Sequence, residues 1–218
     1  MGKTIRITNI TNGNIAKGNN MCRKFVMDIR KKSKELDDMP ARAQEVLDYF
    51  QISDLSSGVP IVEIMTKMGF KIYQSNLEPE NLSAYIAIDP KFEDVFESNK
   101  IACVNNKDSI GLKRYALAHE LAHYFFDFND EESLYYYDTY FKKKDKKDMS
   151  EKCANRFAIN LLMPREEFEK AYGKCKELQS KADIVNALGR IFLVSSDAVL
   201  ERLIELGIAG YDNNEENY

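Results

Sequence analysis

A chain of 218 residues, 44% hydrophobic and 30% charged, with a mean hydropathy of -0.46 and a net charge of -4, is large enough to close a core and polar enough to stay in water. No apolar run approaches the length of a membrane-spanning helix. The start Met1-Gly-Lys-Thr-Ile-Arg carries no apolar signal segment, and Arg6 breaks the myristoylation pattern that Gly2 would open. Cys22, Cys103, Cys153 and Cys175 form no C-x-x-C pair and read as reduced thiols of a cytoplasmic protein.

Charge is uneven along the chain. Residues 1–38 hold nine Lys/Arg against four Asp/Glu, a net of +5 that leaves -9 for the remainder. Within them, residues 4–10 alternate like a short strand, and a Gly/Asn-rich stretch leads to Asn20. A basic amphipathic segment follows, with Cys22, Phe25, Val26 and Ile29 on one side. Such a segment serves either as a docking arm for nucleic acid or an acidic partner, or, more commonly, as a solvated helix packed on the main domain. Next come two helical patterns, 41–50 and 60–68, the second closed by Gly69 at the position after the cap. Three strand patterns follow at 70–73, 82–88 and 100–104, parted by Glu78-Pro79-Glu80 and Asp89-Pro90 turns. The expected class is α+β. Of the later two strands, 84–88 or 101–104 is expected at the sheet edge, and the pattern does not choose between them.

The helix expected over 111–126, capped by Asp108 or Ser109, carries the most informative residues in the chain. The only two histidines stand four apart in His119-Glu120-Leu121-Ala122-His123. Positions i and i+4 lie one above the other on a helix face, so both imidazoles can address one ion. Glu120, rotated roughly 100° away, can reach a water beside that ion. Chance would place two histidines and an adjacent glutamate this way roughly once in a thousand chains. Leu112, Tyr115, Ala116, Ala122 and Phe126 share the histidine stripe, while Leu117, Leu121, Tyr124 and Phe128 cover the opposite side. A helix apolar nearly all round is buried, and ionisable groups on it need partners. The HExxH spacing predicts two zinc ligands and a general base.

A third ligand must be a carboxylate or a thiolate, since no histidine remains. Glu151 is the best placed, opening an apparent helix over 151–162 that packs through Ala154, Phe157, Ala158, Leu161 and Leu162 and stops at Pro164. Glu131, Glu132 and Cys153 compete. Asn155, one turn after Glu151, can accept the spare N–H of a ligand histidine. Between the two helices, the aromatic stretch 133–141 and the basic run 142–148 read as a solvated loop, with a substrate-gating flap favoured over a nucleic-acid contact. Further on, 182–191 and a helix from Ser195 or Ser196 to Leu206 spell a helix-turn-helix. Residues 196–206 carry Asp197, Glu201 and Glu205 against Arg202, a net of -2 that would repel phosphates, so this pair is expected to pack rather than read DNA.

Arg114-Tyr-Ala-Leu-Ala-His119-Glu-Leu-Ala-His123-Tyr, then Glu151-Lys-Cys-Ala154-Asn155-Arg-Phe157-Ala158 running into Leu161-Leu162-Met163-Pro164, resembles the ImmA/IrrE family of metallopeptidases. The likeness is strongest from Arg114 to Pro164 and extends over roughly 40–207. Ala122 stands where many members carry Gly, and the interval between His123 and Glu151 is long. The resemblance implies a zincin-like α+β domain, with a small antiparallel or mixed sheet beside the HExxH helix and a C-terminal helical subdomain. It implies zinc held by His119, His123 and Glu151, with Glu120 as catalytic base. It also implies a protein substrate of the helix-turn-helix repressor type. On this reading the chain divides into a basic extension (1–38), a metallopeptidase core (39–177), a helical packing subdomain (178–210) and a disordered acidic tail (211–218).

The expected activity is therefore zinc-dependent endopeptidase cleavage of a regulatory protein, with no membrane association and no direct nucleic-acid binding. Oxyanion stabilisation falls to Tyr115, Tyr124, a tyrosine within 135–140, or a backbone N–H. The rival readings are a zinc-containing module that sequesters a repressor without cutting it and, behind that, a DNA-binding regulator. Glu120 separates them, because a pure binding module has no need of a base.

Overall fold

The architecture is α+β: a small mixed sheet lies against a layer of helices. The computed structural model describes residues 8–10, 20–79, 82–128 and 144–208. Strands β1 (Thr8–Asn9), β2 (Phe70–Ser75), β3 (Ala84–Ile88) and β4 (Lys100–Asn105) are ordered β1-β2-β4-β3, with β2 and β4 parallel and the outer pairs antiparallel. Register brings Ile72, Ala102 and Ile86 into one row across three strands, all at most 2% exposed. That row faces the helices, as the strand period of two requires. Among the described residues β3 pairs only with β4, so 84–88 is the edge and 101–104 is interior.

The helical layer consists of α1 (Asn20–Arg30), α2 (Met39–Tyr49), α3 (Ile61–Lys67), α4 (Glu93–Phe96), α5 (Ile110–Phe126), α6 (Lys144–Leu162), α7 (Arg165–Cys175), α8 (Lys181–Phe192) and α9 (Ser196–Glu205). Gly69, at φ 92°, reverses the chain between α3 and β2. Helix α5 leaves β4 under a Ser109 cap that accepts from Leu112 N at 3.3 Å, and it crosses β3 and β4. Helix α6 packs beside α5, and α2 covers its far side. One continuous apolar cluster runs from Cys22 to Leu203. Cys22, Val26 and Ile29 of α1 are buried in it, so the basic segment is a packed helix with a solvated outer face. No helix among the described residues is long and apolar enough to cross a membrane. All four cysteines are free and buried, and burial pushes the Cys103 thiol up to about 11.

Three expectations need correcting. Helix α6 starts at Lys144 rather than at Glu151, so residues 144–148 are helical and not loop. Lysine is a good helix former, and neither Gly nor Pro interrupts 144–162, so the basic run extends the helix. The Asp89-Pro90 turn develops into a 3-10 turn and α4, started by the Asp89 side chain accepting from Lys91 N at 2.9 Å. The third concerns the charges counted on α9. Arg202 is 1% exposed and bonds Asn160 Oδ1 at 2.8 Å and Glu205 Oε1 at 3.0 Å, so this pair is buried and does not face solvent. Of the strand pattern read over 4–10, the structure describes residues 8–10, with Thr8–Asn9 in β1; residues 4–7, the aromatic part of the insert and the acidic tail lie outside the described residues.

The α8–α9 turn is seated on the start of α5. Leu193 occupies the left-handed region at φ 54°, and Arg114 Nε donates to its carbonyl at 3.1 Å. A Cβ built on Gly111 would stand 2.7 Å from Val194 C and 2.8 Å from Ser195 N, both backbone atoms. Only glycine allows this approach. Gly111→Ala should therefore destabilise the protein by about 1–3 kcal/mol, the usual cost of overpacking. Urea denaturation checks this, and an unchanged midpoint would mean the turn yields freely.

Candidate metal centre

Helix α5 is buried from Ala116 to Ala118 and from Leu121 to Phe126, which leaves little room for uncompensated polarity. His119, half-buried, and His123, buried, lie on successive turns with ring centroids 4.6 Å apart. Their Nε2 atoms converge to 2.9 Å. Each ring is held from behind. His119 Nδ1 donates to Asn155 Oδ1 at 2.8 Å, and the same oxygen accepts the Tyr115 hydroxyl at 3.0 Å. His123 Nδ1 donates to Asp127 Oδ2 at 2.5 Å, and Ser150 Oγ donates to that oxygen at 2.7 Å. A carboxylate only accepts, so the proton of neutral His123 sits on Nδ1 and its Nε2 presents a lone pair. The Asn155 oxygen selects the same tautomer in His119.

Two lone pairs facing at 2.9 Å repel unless positive charge lies between them. Glu151 completes the ring of donors: Oε2 stands 3.3 Å from His119 Nε2 and Oε1 stands 3.8 Å from His123 Nε2. All three donor atoms fall within 4.8 Å of one another. At a tetrahedral centre with bonds of about 2.0–2.1 Å, ligand atoms lie about 3.3–3.4 Å apart. The donor set and its spacing therefore fit zinc. Glu151 and His119 side chains are 31% and 17% exposed against 5% for His123, so approach from solvent is over the first two.

Electrostatics follow the geometry. Burial disfavours the imidazolium of His123, but its hydrogen bond to Asp127 and the charges of Glu120, Asp127 and Glu151 outweigh that and raise its pKa. Burial likewise disfavours the Asp127 carboxylate, and the bonds from His123 and Ser150 overcome it, leaving the pKa lowered. Glu120 is half-buried on α5, and its carboxylate is close enough to be felt at His123.

The structure thus brings His119, His123, Glu151 and Asn155 together, with Glu120 beside them. Cys153 is buried and directs its thiol to the Lys34 carbonyl at 3.5 Å, away from the converging donors. Glu131, Glu132 and Tyr135 to Tyr140 lie outside the described residues. Tyr124 is 4% exposed and its hydroxyl is held by Lys100 Nζ at 2.7 Å, while Tyr115 is tied to Asn155 and burial raises its phenol pKa. Asp127 and Ser150 escaped the sequence reading. Asp127 is four residues beyond His123, the same spacing that revealed the histidine pair, and was legible in principle. Ser150 meets it only because α6 folds alongside α5.

The family model of Peptidase_M78, the IrrE N-terminal-like domain, matches residues 65–203, a span running from α3 to α9 that contains every residue of the cluster. Comparison with curated proteins found no match.

Because the folded-state pKa of His123 is raised above 6.5, its protonation stabilises the metal-free fold. That contribution is full below the unfolded value of about 6.5 and is lost as pH rises through the folded value. Chelator-treated protein should accordingly melt at lower temperature at pH 8 than at pH 6.5. His123→Gln should flatten the difference. Thermal melts across this window provide the check, and a wild-type midpoint independent of pH would contradict the assignment.

Proposed function

Given that this chain belongs to the Peptidase_M78 family through an IrrE N-terminal-like domain, we propose that it is a zinc-dependent endopeptidase centred on His119, His123, Glu151 and Glu120. The observation that carries this reading is the convergence of two tautomer-locked Nε2 atoms and a carboxylate within 4.8 Å, beside a glutamate on the same helix. Zinc held by His119, His123 and Glu151 would supply Lewis acidity to a water and to a peptide carbonyl. Asn155 and Asp127 keep both imidazoles in the binding tautomer. Glu120 takes a proton from the attacking water at its carboxylate and delivers it to the leaving amine nitrogen. Strand β3 offers backbone groups along the sheet edge next to α5, where an extended substrate can align by strand addition.

The substrate class we propose is a helix-turn-helix repressor. Its support is the resemblance of residues Arg114 to Pro164 to ImmA/IrrE proteins, together with an edge strand that accommodates a peptide by its backbone and leaves selection to partner-specific contacts. Residues 178–210 are proposed as a packing subdomain.

Purified protein should hold about one zinc per chain, lost in His119→Ala, His123→Ala and Glu151→Ala and kept in Glu120→Gln. Metal analysis checks this, and full occupancy in Glu151→Ala would move the third ligand elsewhere. Glu120→Gln should lower cleavage by about 10²–10⁴-fold with zinc and fold intact. Co-expression with a helix-turn-helix repressor encoded beside it is the assay. Wild type should yield defined fragments and Glu120→Gln an intact repressor. Relief of repression by both forms, with the repressor whole in each, would replace the enzyme by a sequestering module.

A further inference from the structure

Helix α5 cannot finish itself. Its last carbonyls have no intrahelical donors, its terminal turn is buried, and its only basic residue there is His123. The missing donors come from far away in sequence. Arg30 Nη2 donates to Tyr124 O at 2.9 Å and stacks its guanidinium 4.8 Å from the Tyr124 ring centre. Lys34 Nζ donates to Phe126 O at 2.6 Å. Both cations stand at the negative end of the helix dipole. Both also precede residue 65, where the family-matched segment begins.

The turn they close is the one that carries Asp127. Asp127 N bonds back to His123 O at 2.9 Å, while its carboxylate holds His123 Nδ1 and Ser150 Oγ. Lys34 is near enough for its charge to stabilise the Asp127 carboxylate. Lys34, Asp127, Ser150, Cys153 and His123 line a common cavity of about 270 Å³, roomy enough for water that would compete for the carboxylate. The Lys34 carbonyl in turn takes the Cys153 thiol of α6 at 3.5 Å, which ties the segment to both helices of the site.

We propose that Lys34, supported by Arg30, is a positioning residue of the metal centre: it fixes the Asp127 turn and, through it, the orientation of His123. The basic extension is then part of the site's support in this chain, added from outside the family segment. This inference rests on the zinc reading of His119, His123 and Glu151.

Competition titration of Zn²⁺ against a chromophoric chelator tests it on the full-length chain. Asp127→Asn keeps the side-chain shape and removes the charge, and should weaken zinc by at least about tenfold. Lys34→Met should weaken it by about three- to tenfold, and Lys34→Arg should restore it. Because Lys34 acts through Asp127, the double variant should bind no more weakly than Asp127→Asn alone. Ser150→Ala, a milder change on the same carboxylate, replaces Asp127→Asn in the cycle if that variant loses its helical circular dichroism. A Lys34→Met affinity within about twofold of wild type overturns the proposal, as does a loss that multiplies fully with that of Asp127→Asn, since a purely structural capping role predicts independence. Failure of wild type itself to bind zinc would overturn the metal reading, and this inference with it.

Discussion

Two imidazole nitrogens face each other across 2.9 Å on α5, each with its lone pair turned inward by a hydrogen bond behind it. That contact is unfavourable in a neutral protein and becomes favourable once a cation lies among the donors. The surrounding structure prevents either ring from turning away. Asn155 and Asp127 differ in kind: one is a neutral amide, the other a carboxylate stabilised by Ser150 and by the charge of Lys34. The more buried ring, His123, receives the charged partner, which offsets the greater cost of keeping polarity there.

Helix α6 serves both sides of the histidines at once. Glu151 and Asn155, one turn apart, supply a donor in front of the rings and an acceptor behind His119. Ser150 reaches behind His123. This is possible because α6 lies along α5 and is pressed there by α2 on its outer side. The core formed by Phe125, Phe126 and Phe157, with ring centres 5.5–6.0 Å apart, sets that distance. Site geometry and core packing are thus the same problem for these two helices.

The ends of α5 show a division of labour. Its N-terminus is capped locally by Ser109 and anchored by the α8–α9 turn, which approaches Gly111 closely enough to exclude any side chain. Its C-terminus, beside the site, is closed by cations from the extension. Residues 30–34 and 193–195, far before and far after α5 in sequence, therefore meet on one helix.

The sequence by itself determined the features that depend on short spacing. The HExxH face, the buried character of α5, the shared helix face of Glu151 and Asn155 and the reversal at Gly69 all follow from the helical repeat or from local backbone chemistry, which also narrowed the caps to Asp108 or Ser109 and to Ser195 or Ser196, of which the structure uses Ser109 and Ser195. Asp127 belonged to the same group by its spacing and was overlooked. What tertiary structure alone decided concerns partners distant in the chain. It made β3 the edge and β4 the interior strand, because strand order depends on which non-local pairings bury most, and both segments carry the same apolar pattern. It turned Tyr124 toward Lys100 and buried Arg202 against Asn160 and Glu205. It also brought Arg30 and Lys34 to carbonyls more than ninety residues away. No periodicity encodes these contacts, because a charged side chain takes its final partner only once the core has set which surfaces meet.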